Sequence, residues 1–158
     1  MANSVFSHGD VSRHCATVAQ SLMLDVPPNM VWKEISDFVG LPGWVEGAKK
    51  TEFLSKVKRG IGAARKISFE DGSKVIEYAV GWSDGEYISY IATSGLPLDG
   101  YHATLSVFPK DGSSQVSWTS FLISNSPNMK QFEEFLTFID SFYKNSLKNL
   151  KAKLEKPT

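Results

Sequence analysis

The chemically sharpest residues of this chain are two opposite charges in successive strand-like runs, Arg65 and Glu77. Asp71-Gly72 between them is a hairpin-type dipeptide, so the two runs are expected to lie antiparallel and adjacent. A guanidinium and a carboxylate brought together this way form either a structural ion pair at a cavity edge or a polar anchor. An anchor of that kind would hold a ligand's carboxylate, carbonyl or hydroxyl. Tyr90 and Tyr101 add hydroxyls on later runs; a buried tyrosine satisfies its hydroxyl inside the protein or on a ligand. Other chemistries find little support. His8, His14 and His102 show no metal-ligand spacing with one another or with carboxylates, and no CxxC pair exists. Gly60-Ile61-Gly62 lacks the third glycine and following helix of a dinucleotide fingerprint, and no nucleophile elbow is present. No metal or cofactor is expected.

The totals narrow the classes further. At 158 residues the chain is long enough for one domain with its own core. Lys plus Arg and Asp plus Glu are both 17, so there is no basic footprint of the kind a nucleic-acid partner leaves. The Lys-rich tail, Lys144 to Lys156, lies near a helix C-terminus, where cations complement the macrodipole. The single cysteine, Cys15, cannot form an internal disulfide. Met1 to Cys15 holds no apolar segment of the signal-peptide kind, and no run approaches the ~20 apolar residues of a membrane span. The expectation is a cytoplasmic protein; a homodimer is compatible with the composition.

The elements that must position the charges read as follows. Residues 1–13 lack periodicity and form a loose arm; 14–156 form one domain. Cys15 to Val26 reads as a strand ended by Pro27-Pro28. Pro28 then starts a short helix, Asn29 to Asp37, and Leu41-Pro42-Gly43-Trp44-Val45 forms a second short helix or turn. Six strands follow, at Lys49–Lys58, Ala63–Glu70, Lys74–Ser83, Glu86–Thr93, Tyr101–Pro109 and Gln115–Ser124. Asp71-Gly72, Asp84-Gly85 and Asp111-Gly112 mark hairpin turns. Pro127 to Leu154 reads as one long helix. Met129, Phe132, Phe135, Leu136, Phe138, Ile139, Phe142, Tyr143, Leu147, Leu150 and Leu154 recur at spacings of three and four. Strands followed by a helix, without βαβ alternation, give an α+β protein with an antiparallel sheet. A curved sheet gripping so bulky a helix leaves a hollow. Phe135, Phe138 and Phe142 are expected to line it, and Trp44 to close one end.

Alternation along the strands assigns faces unevenly. Tyr101, Ala103, Leu105 and Val107 are clearly inward, and Arg65 shares the more apolar face of its strand with Ile67 and Phe69. In the next strand hydrophobicity favours Ile76, Tyr78 and Val80 over Val75, Glu77 and Ala79, which would turn Glu77 outward.

Several segments together carry a resemblance. Val31-Trp32, Leu41-Pro42-Gly43-Trp44, Gly60-Ile61-Gly62-Ala63-Ala64-Arg65, Glu77, Leu96-Pro97-Leu98-Asp99-Gly100-Tyr101 and Val116-Ser117-Trp118 are similar to the START-like, Bet v 1-like (SRPBCC) superfamily. Within it the chain most resembles the polyketide cyclase/dehydrase and lipid-transport group. The resemblance implies a helix-grip fold, with a seven-stranded antiparallel sheet wrapped around the C-terminal helix and two short helices after the first strand. It also implies that Arg65, Glu77 and Tyr101 face an internal cavity. Ser94-Gly95-Leu96-Pro97 spells the gate loop of the related abscisic acid receptors but falls where those receptors carry their latch. Val45 stands in place of their carboxylate-binding lysine, so hormone reception by that mechanism is not expected.

The function so implied is binding or transport of a small hydrophobic molecule, such as a lipid, an isoprenoid or an aromatic polyketide-like compound. Arg65, Glu77, Tyr90, Tyr101, Trp44, Phe135, Phe138 and Phe142 are the expected contacts. The alternative is a cyclase or dehydratase on the same cavity, with Glu77 moving protons and Arg65 or Tyr101 stabilising an enolate. A third reading is a protein-interaction module with a residual cavity.

Overall fold

Local turn chemistry sets the topology. Gly72, Gly85 and Gly112 have φ of 88°, 81° and 81°, the left-handed conformation that tight hairpins require. A computed structural model describes residues 13–157. Of the arm expected over residues 1–13, only Arg13 is described, and its guanidinium pairs with Asp99; the remainder lies outside the described residues.

The strands are β1 (Cys15–Leu24), β2 (Ala48–Phe53), β3 (Ala64–Phe69), β4 (Lys74–Ser83), β5 (Tyr87–Ser94), β6 (Leu98–Lys110) and β7 (Ser113–Ser124). They form one antiparallel sheet in the order β1-β7-β6-β5-β4-β3-β2. Helix α1 (Pro28–Ile35) begins at Pro28, and the second short helix is a single 3-10 turn, Leu41–Gly43. Helix α2 (Met129–Leu154) is capped by the Asn128 side chain, which accepts the Gln131 N–H at 3.1 Å. The seven-stranded antiparallel sheet, the short helix after β1 and the long C-terminal helix make this a helix-grip fold. Among the described residues no helix is long and apolar enough to cross a membrane.

Two boundaries differ from the sequence reading by three residues or more. β2 stops at Phe53 rather than Lys58, because residues 54–63 leave the sheet in a loop where Gly60 and Gly62 have φ of 91° and 92°. β6 begins three residues early, at Leu98, where it pairs with Ser124.

Helix α2 buries Phe132, Ile139, Tyr143, Ser146, Leu147 and Leu150, a stripe at spacings of three, four and seven. Its close backbone approaches to the sheet are to β1 and β7, at one side. Its C-terminal half is also tied to the turn region. Ser146 Oγ accepts the Glu46 N–H at 2.9 Å, Asn149 Nδ2 donates to the Trp44 carbonyl at 3.2 Å, and Lys153 pairs with Glu34. The inner face of the central strands is therefore not filled by the helix.

The β5–β6 connection packs hard against the start of β4. Gly95 has φ of 98°, and a Cβ there would lie 2.0 Å from the Lys74 carbonyl oxygen. Gly112 has a similar φ but open space around it. Gly112→Ala should thus cost about 1–2 kcal/mol, the left-handed penalty alone. Gly95→Ala should cost clearly more, since backbone must also move. Urea denaturation of both variants checks this; equal costs would contradict the close approach.

A cavity walled by aromatic rings and one buried ion pair

Arg65 and Glu77 are direct cross-strand partners on β3 and β4. Both are only 5% exposed. Arg65 Nε donates to Glu77 Oε1 at 2.9 Å, and Nη2 lies 2.7 Å from the same oxygen. Nη1 donates to the Phe38 carbonyl at 3.0 Å. The guanidinium also lies over two rings, with its Cζ 4.0 Å from the Phe38 centroid and 5.0 Å from the Tyr90 centroid. Burial pushes the Glu77 carboxyl above the ordinary carboxylate range; the charge and hydrogen bond of Arg65 oppose that shift without cancelling it.

The face of β4 follows a device that hydrophobicity does not report. Glu77 is inward, with Val75 and Ala79, while Tyr78 and Val80 are each 40% exposed. The pairing of β4 with β5 shifts register between Ala79 and Gly81. A bulge of this kind changes which residues point inward. Beyond it Trp82 packs inside against Trp32 and Phe38, with ring centroids 6.2 Å and 6.1 Å away. Before the bulge the inward set is Val75, Glu77 and Ala79, fixed by the pairing of Glu77 with Arg65 on β3, although Ile76, Tyr78 and Val80 are the more hydrophobic set.

Tyr90 and Tyr101 are buried on the inner face of β5 and β6, with ring centroids 6.1 Å apart. Trp118 on β7 donates its Nε1–H to the Tyr90 hydroxyl at 2.8 Å and stacks on Tyr143 of α2, centroids 4.2 Å apart. The Tyr143 hydroxyl bonds that of Tyr101. Desolvation by burial raises all three phenols above their ordinary range, so they act as neutral hydrogen-bonding groups.

Arg65, Glu77, Tyr90, Tyr101 and Trp118 line a cavity of about 600 Å³, within the usual range of small-molecule sites. The lining includes all eight residues singled out from the sequence: Arg65, Glu77, Tyr90, Tyr101, Trp44, Phe135, Phe138 and Phe142. They are not equivalent. Phe138 is 59% exposed and stands at the mouth, whereas Trp44 is buried and packs on Trp118 at 5.6 Å. Phe135 and Phe142 lie between, half-buried beside the buried stripe of α2. Sequence reasoning left out Trp118, read there as core, which lines the cavity, and Tyr143, read only as a helix position, which is fully buried and bonds the lining Tyr101. Their indole and phenol groups, buried near Tyr90 and Tyr101, were the available signal. It also left out Gly95, Leu96 and Pro97, which line the cavity beside the β3–β4 turn.

The ion pair yields two linked expectations. Arg65→Met leaves the Glu77 carboxyl buried without its partner and should destabilise by about 3–5 kcal/mol; Arg65→Met with Glu77→Gln should recover part of that. A double-mutant cycle with no coupling would contradict the pair. The pH dependence has a definite sign. Glu77 binds its proton more tightly folded than unfolded, so its contribution to stability falls as pH rises from the unfolded value, about 4.3, through the raised folded one. Losing Arg65 removes the opposing influence and widens that window upward. Relative to the double variant, Arg65→Met should therefore lose stability as pH rises; parallel profiles would rule this out.

Comparison with known proteins places this geometry in a lineage. A model of the family described as polyketide cyclase/dehydrase and lipid transport matches residues 16–155. Among solved structures, the protein XoxI from Bacillus cereus superposes with a TM-score of 0.77 at 24% identity, over 88% of this chain and 95% of that one. A putative uncharacterized protein from Bacillus thuringiensis gives 0.76 at 23% identity, over 89% and 100%. Ara h 8.0201 gives 0.72 at 16% identity, over 89% and 98%. At these identities the solved structures share the fold. No curated protein matches the chain in sequence. With the family model spanning almost every described element, the chain belongs to the polyketide cyclase/dehydrase and lipid-transport family of the START-like, Bet v 1-like superfamily.

Proposed function

We propose that this protein binds a small hydrophobic molecule with one polar end in the cavity between the sheet and α2. The observation that carries this reading is the cavity itself. Its roughly 600 Å³ is walled by Phe38, Trp44, Ile88, Leu105, Trp118 and Ile139, with polar groups confined to a few positions. Apolar walls supply non-directional affinity; a few placed polar groups supply orientation. Arg65, Glu77, Tyr90 and Tyr101 are the orienting groups in this reading. Transport follows if the ligand leaves by the mouth at Phe138, which needs no partner to open the buried core.

A cyclase or dehydratase reading has one specific observation in its favour, the raised Glu77 carboxyl, since a proton-transfer group works best with a pKa near the operating pH. The tyrosines serve it less well, because their raised pKa values make them reluctant proton donors. Turnover of an aromatic polyketide that is lost in Glu77→Gln would decide for the enzyme.

A neutral apolar dye such as Nile red should bind with one-to-one stoichiometry and raise the melting temperature, as any ligand of the native state must. Phe138→Asp should weaken that binding about tenfold, roughly 1.4 kcal/mol. Because Phe138 is largely exposed, the same change should leave the stability of the empty protein within about 0.5 kcal/mol. Dye binding unaffected by Phe138→Asp would place the site elsewhere.

A further inference from the structure

We infer that the cavity selects an uncharged ligand whose polar end is a hydroxyl or carbonyl, and that it rejects carboxylate-ended molecules of the same length. The inference rests on the cavity-binding reading above and narrows its ligand class.

The charges of the lining are lopsided. Arg65 is the single cation among the described lining residues, against the carboxylates Glu46, Glu70, Asp71 and Glu77. That one cation is already paired: Glu77 and the Phe38 carbonyl take three of its five N–H groups, and the rings of Phe38 and Tyr90 pack against it. A ligand carboxylate reaching this end would have to share the guanidinium with Glu77 or displace it, leaving two buried carboxylates to one cation. Two carboxylates sharing one guanidinium in a desolvated site repel strongly. Glu70 and Asp71, exposed on the β3–β4 turn, oppose an anion on approach as well.

An ammonium group fares no better inside. The acidic mouth attracts it, but Glu77 is already neutralised by Arg65, so a desolvated cation finds no unspent counter-charge. A hydroxyl or carbonyl meets a different situation. Tyr90, which accepts from Trp118, and Tyr101, which bonds Tyr143, are neutral phenols of the lining, and a phenol exchanges hydrogen bonds with an uncharged group without a charge penalty.

The test displaces Nile red with dodecanol, dodecanoate and dodecylamine, matched in chain length, near neutral pH and below micelle-forming concentrations. Dodecanol should displace the dye at concentrations at least about tenfold lower than either charged analogue. In about 1 M salt, where the Debye length is about 3 Å, the part due to the exposed rim should vanish while the part due to buried Glu77 persists. Glu77→Gln should narrow the gap between acid and alcohol. If that variant does not fold, Glu70→Gln with Asp71→Asn, both at the exposed turn, should narrow it at low salt alone. Dodecanoate or dodecylamine binding as tightly as dodecanol overturns the inference, as does dye that none of the three displaces; in these cases the cavity reading still stands. Dye that does not bind at all removes the cavity reading and this inference with it.

Discussion

The cavity exists because α2 meets the sheet along one side and not across its width. Its close approaches are to β1 and β7, while the inner faces of β3 to β6 look into open volume. The contact that sets this standoff is the stack of Trp118 on Tyr143, reinforced by the hydroxyl bond from Tyr143 to Tyr101. Two large rings hold helix and sheet apart where smaller residues would let them collapse. Across the same face Ala79 and Ala103 are buried, and their short side chains leave the tyrosines beside them room. The C-terminal half of α2 is fixed to the turn region by Ser146, Asn149 and Lys153. The N-terminal half carries the half-buried and exposed phenylalanines around the mouth.

Against that apolar background the Arg65–Glu77 pair is energetically odd. Well-packed apolar residues in place of a buried ion pair are often neutral or stabilising, so burial of the pair is weak evidence that it serves stability. The pair is also elaborately satisfied, with a backbone carbonyl and two aromatic faces on the guanidinium. Glu77 and the Phe38 carbonyl take three of the five guanidinium N–H groups, so the pair is held in place and its charges offset each other. The site presents a ligand with dipoles and neutral phenols rather than with a free charge. A site of that character discriminates by the cost of desolvating the ligand's own polar end.

Family membership and solved relatives constrain the fold far more than the ligand. The family description spans cyclisation, dehydration and lipid transport, and the solved structures compared here share at most 24% identity with this chain. The lining side chains that bear on the ligand here include Leu41 and Val45 near the turn, the cation Arg65 and the acidic β3–β4 turn.

Much of this was written locally. The three Asp-Gly turns, the Pro27-Pro28 break and the three-four periodicity of the last helix each act over a few residues, so the sequence alone yields the order of elements and the antiparallel sheet. Arg65 and Tyr101 could be turned inward from their apolar strand neighbours. Glu77 could not: its own strand neighbours are less apolar than the opposite set, and what places it inward is pairing with β3, where it stands opposite Arg65. Likewise periodicity gives Phe135, Phe138 and Phe142 to one broad side of α2. How deep each one sits depends on where the helix lies over the sheet, which leaves Phe138 at the mouth. Trp118 became a lining residue, with Tyr143 stacked on it, only once the tertiary structure brought β7 and α2 together. A ring's burial is decided by composition, but its partner is decided by which distant elements the fold brings face to face.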